Sequence, residues 1–314
     1  FKINHLNQFN NKYCISNCSY MNVGNNAGGE SAKLKKCVIN LKNMKVISFI
    51  NMKGGVGKTT STIEIGALLA KEHNKKVLII DIDPQTNSTL SLISLEKWEE
   101  LKDRSTIADV LGMNKGMSSR DEEFDINDAI VRNVGGVNNL DLIPSHLELT
   151  FLDLDLVSVP ARESVLKNKL EGLSTEYDYI LIDCPPNLTL APQNALIISD
   201  YIIVPVVPEI FPSIGLPLLV NRVHKWKRSF KECNVEFLGV VFTKVDGRYS
   251  MHSQQMDALR RKDVIDCFST VIPQNADLGK AAASNQPATM THPACNGVES
   301  YRTLVKEILR KINS

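Results

Sequence analysis

A glycine-rich stretch at residues 53–60 carries the side chains best suited to bind a chain of phosphates. It reads, in order, Lys53, Gly54, Gly55, Val56, Gly57, Lys58, Thr59 and Thr60. Glycines let the backbone curl so that successive N–H groups point at an anion, and a following helix adds partial positive charge. Lys58 supplies a full charge for the outer phosphates, and the Thr59 hydroxyl is suited to ligate Mg²⁺. The stretch therefore predicts a cradle for a nucleoside triphosphate.

The same stretch departs from the general phosphate-loop pattern at its start. That pattern, G-x-x-x-x-G-K-[ST], requires glycine where this chain has Met52, and a second lysine, Lys53, follows. Lys53 cannot easily share the pocket that Lys58 serves. It either reaches another nucleotide, for example across a dimer interface, or is a solvated loop cation. A dinucleotide fold is not favoured, because its G-x-G-x-x-G pattern fails at Thr60.

Three aspartates at the ends of predicted strands could handle a metal ion and a water molecule. Asp81 and Asp83 close one strand, and Asp183 closes another apolar run. Alternation along a strand would point Asp81 and Asp83 the same way, toward the phosphates. One would hold Mg²⁺ through water while the other orients or deprotonates the attacking water, unless both are structural or capping residues. Asp183 is predicted as a second Mg²⁺ anchor, with a simple strand-ending acid as the alternative.

Alternating strands and helices must position these residues. Apolar, β-branched runs predict strands at residues 45–51, 76–81, 139–144, 179–183, 201–205, 237–243 and 269–272. Helical patterns lie at 59–72, 163–173, 190–199, 213–231, 250–261 and 297–312, with short helices near 94–102 and 107–111. The predicted fold is α/β, a doubly wound, mostly parallel sheet flanked by helices. Its sites should lie beyond the carboxyl ends of the strands.

Composition bounds the domain organisation and the classes of partner. The chain has 314 residues and 43% hydrophobic content, which supports a single P-loop domain over residues 44–314. Residues 1–43 are rich in Asn and Lys and are predicted to be disordered, either as a genuine tail or as an extension upstream of a natural start at Met44. The net charge of +1 leaves any nucleic-acid binding to a local patch. Seven scattered cysteines and no secretory signal predict a cytoplasmic protein with reduced thiols.

The combination and order of these motifs resemble the ParA/Soj branch of the deviant Walker A ATPases, a family that includes the septum-site regulator MinD. The matching stretches are residues 53–60, 81–85, 177–186, 194–196 and 270–275. The resemblance implies MgATP hydrolysis within a sandwich homodimer, with Lys53 reaching the partner's ATP and the hydrolytic aspartate on Asp83. It also implies non-specific DNA binding by the ATP-bound dimer. A ParB-like centromere-binding partner would stimulate hydrolysis, and the cycle would move plasmid or chromosomal cargo over the nucleoid.

The resemblance places the adenine contacts in two late segments. They would fall on Thr243 and Lys244 at a strand end, and on Pro273 and Asn275 in the following loop. The family's Leu-Ser-Glu-Ala-Pro continuation differs at residues 278–282. Lys53 and Lys58 are expected to act with Asp83 in catalysis.

The resemblance places DNA contacts on Arg248 and on the helix at residues 213–231. In that helix the family's arginine falls on His224, with Arg222 and Lys225 beside it. Phosphate contacts are charge-driven and tolerate such sliding. The alternative for these helix charges is a solvated face.

A MinD-like regulator that docks on a membrane or a protein scaffold is the second functional hypothesis. Membrane docking needs a basic amphipathic tail, and the helix at residues 297–312 carries Lys306, Arg310 and Lys311. Its single apolar face is more typical of a helix packed on a sheet. No run of residues is apolar and long enough to span a bilayer, so integral membrane association is not expected.

Overall fold

Seven parallel strands form the central sheet, in the order β3-β2-β4-β1-β5-β6-β7. The computed structural model describes residues 44–103, 105–113, 124–209, 212–262 and 264–314. The strands are β1 (Lys45–Phe49), β2 (Val77–Asp81), β3 (Leu140–Ile143), β4 (Tyr179–Asp183), β5 (Tyr201–Val206), β6 (Glu236–Val245) and β7 (Cys267–Pro273). The predicted α/β class and each of the seven predicted strands are confirmed.

Helices cover both faces of this sheet. They are α1 (Lys58–His73), α2 (Asn87–Leu90), α3 (Leu95–Leu101), α4 (Ile107–Val110), α5 (Leu152–Asp155), α6 (Val165–Leu170), α7 (Leu190–Ile198), α8 (Pro212–Ser229), α9 (Ser250–Lys262), α10 (Ala276–Ala281), α11 (Ala288–Thr291) and α12 (Asn296–Asn313). Short 3₁₀ turns include Leu147–Phe151, which runs directly into α5. The predicted disorder of residues 1–43 lies outside the described residues.

Alternation along the strands builds two apolar layers. In β1, Val46 belongs to the layer shared with α7 and α8, whereas Ile47 belongs to the layer shared with α1 and α12. Successive side chains of a strand point to opposite faces, so a strand buried on both sides needs an apolar residue at nearly every position. The continuous apolar runs that predict strands are therefore what a sheet covered by helices on both faces requires.

The last helix, α12, packs against the sheet. Its apolar face is buried, including Val298, Tyr301 and Leu304, and the Tyr301 hydroxyl lies 3.0 Å from the Ser61 hydroxyl of α1. The apolar face of α12 is thus buried against the rest of the domain. Within the part of the chain that the structure describes, no helix is long and apolar enough to cross a bilayer.

Strand register brings the predicted metal ligands together. Asp183 pairs with Phe49 on one side and with Asp81 on the other, because β4 lies between β1 and β2. The loop that follows Phe49 is the glycine-rich stretch. The carboxyl ends of β1, β2 and β4 therefore converge on one edge of the sheet.

Candidate functional site

The glycine-rich stretch forms a loop between β1 and α1. Gly55 and Gly57 have φ angles of 71° and 84°, in the left-handed region that glycine adopts without strain. A Cβ placed on Gly54 or Gly55 would meet no protein atom within 4 Å, so open space lies beside the loop. Gly57 directly precedes α1, and its carbonyl oxygen accepts the Ser61 N–H at 2.9 Å. This geometry suits an anion held at a helix N-terminus.

Thr59 and Asp183 meet at the base of this loop. The Thr59 hydroxyl donates to Asp183 Oδ2 at 2.7 Å, and the Ser88 hydroxyl donates to the same oxygen at 2.7 Å. The other oxygen, Asp183 Oδ1, is buried and has no hydrogen-bond partner among the residues that the structure describes. Burial raises the pKa of Asp183 to about 6, against the opposing effect of both hydroxyls and of the Lys58 charge.

This arrangement fits a magnesium ion. Mg²⁺ prefers hydroxyl and carboxylate oxygens, and Asp183 Oδ1 is a buried acceptor that the protein leaves unpaired. Asp81 lies opposite Asp183 on the neighbouring strand, so two buried carboxylates share the site. A divalent cation would relieve the repulsion between them. Thr59 and Asp183 are therefore the residues whose positions fit this ion.

Asp81, which the sequence also predicts as a magnesium ligand, has both carboxylate oxygens in hydrogen bonds with the protein. Its Oδ2 accepts the Thr89 N–H at 2.9 Å and the Thr89 hydroxyl at 2.7 Å, while Oδ1 accepts the Asp83 N–H at 3.1 Å. Burial and the neighbouring Asp183 charge hold the pKa of Asp81 well above its ordinary value. Both oxygens thus brace the segment that follows β2, and the chain leaves β2 before Asp83, so strand alternation does not relate the two aspartates.

Asp83 lies in the segment between β2 and α2, close to Asp183. Its Oδ1 accepts the Gln85 N–H at 3.0 Å, and its backbone carbonyl accepts the Ser145 hydroxyl at 2.6 Å. The negative charge of Asp83 is one of the influences that raise the pKa of Asp183. No protein donor within the described ranges binds its second oxygen. Asp83 is therefore held by its backbone and one oxygen, which leaves the other available to a water molecule.

The two lysines of the loop have different surroundings. Lys58 begins α1, is 6% exposed, and its charge acts on Asp183. Lys53 forms an ion pair with Glu209, which follows β5. The Lys53 N–H donates to Asn51 Oδ1 at 2.9 Å, and the Asn51 amide donates to the Pro205 carbonyl oxygen at 2.7 Å. Lys58 thus faces the predicted metal site, whereas Lys53 leans toward the end of β5.

A cavity of about 390 Å³ opens beside the loop. Its volume falls within the range of small-molecule sites. Predicted residues in its lining are Lys53, Gly54, Gly55, Val56 and Lys244, and residues that the sequence did not indicate are Val207, Glu209, Asp246, Tyr249, His252 and Gln274. Val207 and Glu209 follow β5, Asp246 and Tyr249 lie between β6 and α9, His252 belongs to α9, and Gln274 follows β7.

Three predicted adenine contacts do not line this cavity. The Thr243 side chain is buried and donates to the Val56 carbonyl oxygen at 2.7 Å, so it braces the loop from below. Asn275 caps α10 by accepting the Asp277 N–H at 2.7 Å. Gln274, between Pro273 and Asn275, is the residue of that loop that reaches the cavity.

The predicted DNA contacts fall in two places. Arg222 and Lys225 line a depression of about 320 Å³ on α8, together with Leu188 and Leu218. Arg248 is 85% exposed and forms a two-point ion pair with Asp246, with Nη2–Oδ2 at 2.5 Å and Nε–Oδ1 at 2.9 Å.

Comparison with known proteins agrees with the fold and the loop. The AAA domain family model matches residues 44–236. The chain is 36% identical over 266 residues to Soj, the sporulation initiation inhibitor protein of Bacillus subtilis, covering 84% of this chain and 98% of that protein. It is 31% identical to the chromosome partitioning protein ParA of Caulobacter vibrioides, covering 85% and 95% of the two chains.

A solved structure gives the same result. The crystal structure of a putative plasmid partition protein from Borrelia burgdorferi, bound to AMPPNP, superposes with a TM-score of 0.67 at 30% identity. The match covers 86% of this chain and 98% of that one. The chain belongs to the ParA/Soj family of P-loop ATPases.

Proposed function

We propose that this ATPase partitions DNA. It binds MgATP, dimerises around the nucleotide, binds DNA without sequence preference on the nucleoid, and is released when a ParB-like centromere-binding partner stimulates hydrolysis. The observation that carries the proposal is the Thr59–Asp183 hydrogen bond beside the unpaired Asp183 oxygen, at the base of a loop that contains a second lysine. DNA as the cargo is supported by two of the similar proteins, the chromosome partitioning protein ParA of Caulobacter vibrioides and the putative plasmid partition protein of Borrelia burgdorferi.

The residues at the loop divide the work of binding and hydrolysis. The N–H groups of residues 54–60 and the Lys58 ammonium would hold the phosphates. Thr59 and Asp183 would hold Mg²⁺, which when bound neutralises charge on the phosphate oxygens. Asp83 would orient or deprotonate the attacking water through the oxygen that the protein leaves open. Asp81 braces the segment that carries Asp83.

Dimerisation would use Lys53. Its ion pair with Glu209 supports this role, because the Lys53 side chain turns away from the site that Lys58 faces. In the proposed dimer the Lys53 ammonium exchanges Glu209 for a phosphate of the partner's nucleotide. The nucleotide of one chain is then completed by the other chain, so dimerisation depends on ATP.

DNA binding would use exposed cations. Arg222, Lys225 and Arg248 are exposed and can reach phosphates without reading bases. Because the chain as a whole has a net charge of only +1, this local set must carry the attraction.

Co-sedimentation of the full chain with DNA and with liposomes tests the proposal directly. With MgATP the chain should pellet with DNA of unrelated sequences equally well, and with ADP it should remain in the supernatant. Lys58→Ala, which removes the phosphate-binding ammonium, is the control that should not pellet under either condition. Pelleting with anionic liposomes but not with DNA would overturn the proposal in favour of a MinD-like regulator.

A further inference from the structure

An exposed apolar surface lies on the segment between β3 and α6. Leu147, Phe151, Leu154 and Val157 are 56%, 55%, 71% and 67% exposed, and they define what we name the 147–157 surface. They make up half of the eight large apolar side chains that are exposed in the described part of the chain. Exposed large apolar side chains that cluster on one short segment are typical of an interaction site.

This segment is apolar on two sides, and the fold uses only one of them. Leu149, Leu152 and Leu156 are each no more than 5% exposed and pack in the core layer that also contains α7. Leu147, Phe151 and Leu154 occupy intervening positions of the same helical run, Leu147–Phe151 followed by Leu152–Asp155, and Val157 lies just beyond its end. The core therefore accounts for the buried leucines and not for the exposed ones.

The charges around this surface are acidic. Residues 145–161 contain Glu148, Asp153 and Asp155 and no lysine or arginine. The nearby Arg162 donates weakly to the Val157 carbonyl oxygen and is itself paired with Glu163. A ligand for this surface must thus bring apolar side chains flanked by positive charge.

A hydrogen bond connects the segment to the turn that follows the metal-site strand. Asp153 Oδ1 accepts the N–H of Leu190 at 3.1 Å. Leu190 is the first residue of α7, and residues 184–189 are all that separate it from Asp183. A molecule that moves the 147–157 surface would therefore pull on the segment next to Asp183.

We propose that the 147–157 surface docks a basic amphipathic helix of the partner that stimulates hydrolysis. This inference rests on the proposed function and adds to it the place and the chemistry of the contact. Leucine-like side chains of the partner helix would pack on Phe151 and Leu154, and its lysines and arginines would face Asp155 and Glu148. The Asp153–Leu190 hydrogen bond would pass the contact on to the turn before α7.

The acidic charge of the 147–157 surface favours a basic helix over the other possible ligands. A second copy meeting this surface across a two-fold axis would bring acidic groups against acidic groups. Anionic lipid and nucleic acid would be repelled in the same way. A cationic segment is the occupant that gains from both the apolar and the acidic character of the surface.

The test uses the full chain and a designed probe. The probe is a fluorescent 18-residue helix with leucine on one face and lysine and arginine on the other, compared with a scrambled peptide of the same composition. Fluorescence anisotropy measures binding at two salt concentrations, and phosphate release measures turnover with MgATP. The variants are the double substitution Phe151→Ser with Leu154→Ser, and the charge reversal Asp155→Lys. Leu95→Ser is the matched control, because Leu95 is an equally exposed leucine at the start of α3.

We expect the helical probe to bind the wild-type chain at least tenfold more tightly than either surface variant, to weaken with salt, and to raise turnover. Leu95→Ser should behave as wild type. Equal binding of the scrambled peptide, equal binding by the surface variants, or no binding would overturn the inference. So would nucleotide-independent self-association that the double substitution abolishes, because the occupant would then be a second copy. None of these outcomes depends on DNA co-sedimentation, so the two proposals fail separately.

Discussion

Lys53 and Glu209 form an ion pair within a single chain. Both side chains are 41% exposed, so the pair lies at the rim of the cavity and not in the core. Lys53 comes from the phosphate loop and Glu209 from the end of β5. In the proposed dimer, the Lys53 ammonium must leave this carboxylate before it binds the partner's nucleotide.

Glu209→Gln should therefore make ATP-dependent dimerisation easier. An exposed pair of this kind contributes about 0.2–1 kcal/mol, and a symmetric dimer releases two such pairs, so its dissociation constant should fall by up to about thirtyfold. Sedimentation velocity with MgATP over a range of protein concentrations measures the constant. Lys53→Ala, which removes the other half of the pair, should prevent the dimer from forming, and a weaker dimer in Glu209→Gln would mean that Glu209 itself contacts the partner.

Substitution of Asp83 should separate nucleotide binding from ATP hydrolysis. Asp83→Ala should bind ATP and dimerise like the wild type while turnover falls by about 10²-fold or more, because a positioned base is lost. Asp83→Asn is the matched variant, since it keeps an acceptor for the Gln85 N–H but cannot take a proton. Equilibrium nucleotide binding and phosphate release are measured on the same samples. Wild-type turnover in either variant would show that Asp83 has no role in hydrolysis.

The Asp246–Arg248 pair should limit DNA affinity. Arg248→Ala is expected to weaken binding on all sequences alike and to reduce the salt dependence by about one phosphate contact. Asp246→Asn should have the opposite effect, because it frees the guanidinium of its local carboxylate. Filter binding at matched ionic strength measures both, with Arg310→Ala on α12 as a control of equal charge. Identical affinities for all of these proteins would exclude Arg248 from the DNA surface.

Glu64 gives a prediction about pH. Its carboxylate accepts the Ala288 N–H at 2.6 Å, and the Thr289 N–H and hydroxyl at 3.0 and 2.7 Å. Burial raises the pKa of Glu64 above its ordinary value of 4.5. A raised pKa means stability that is fully present below pH 4.5 and is lost as the pH rises through the folded-state pKa.

Glu64→Gln should thus destabilise the fold most at the acidic end. Glutamine does not titrate and offers one acceptor oxygen for three donors, so we expect a loss of about 1–3 kcal/mol in the free energy of unfolding. The difference from wild type should be larger near pH 4.5 than at pH 8. Urea denaturation at the two pH values measures it, and a difference that grows toward pH 8 would contradict the raised pKa.

The fold was readable from the sequence because its strands are buried on both faces. A strand such as β4 must be apolar at successive positions until its last residue, and that last residue, Asp183, then stands out as a polar group at the sheet edge. The loop was readable for a related reason, since Gly55 and Gly57 occupy backbone conformations that other residues adopt only with strain. Local constraints of this kind restrict the residue type at each position, so they can be predicted from the sequence.

Contacts between segments that are distant in the sequence could not be predicted in this way. Thr243 was predicted to contact adenine from its position at a strand end, and no spacing in the sequence indicated its hydrogen bond to the Val56 carbonyl oxygen, 187 positions earlier in the chain. Ser88 was not predicted as a site residue, although its hydroxyl shares Asp183 Oδ2 with Thr59. No sequence motif places a serine beyond a turn at this position. The same holds for Leu147–Phe151 and α5, since leucines on two sides of a short helix do not show which side faces water.

Through the unpaired oxygen of Asp183, the proposed magnesium site would link nucleotide supply to the stability of the protein. Without a cation, the folded chain keeps a buried acceptor unsatisfied beside Asp81, and ligand that binds only the native state adds stability by mass action. At a ligand concentration one hundred times the dissociation constant, that gain is about 2.7 kcal/mol. Chains loaded with MgATP would accordingly unfold less often and meet cellular proteases less often than empty chains, so the pool of protein would follow the energy state of the cell.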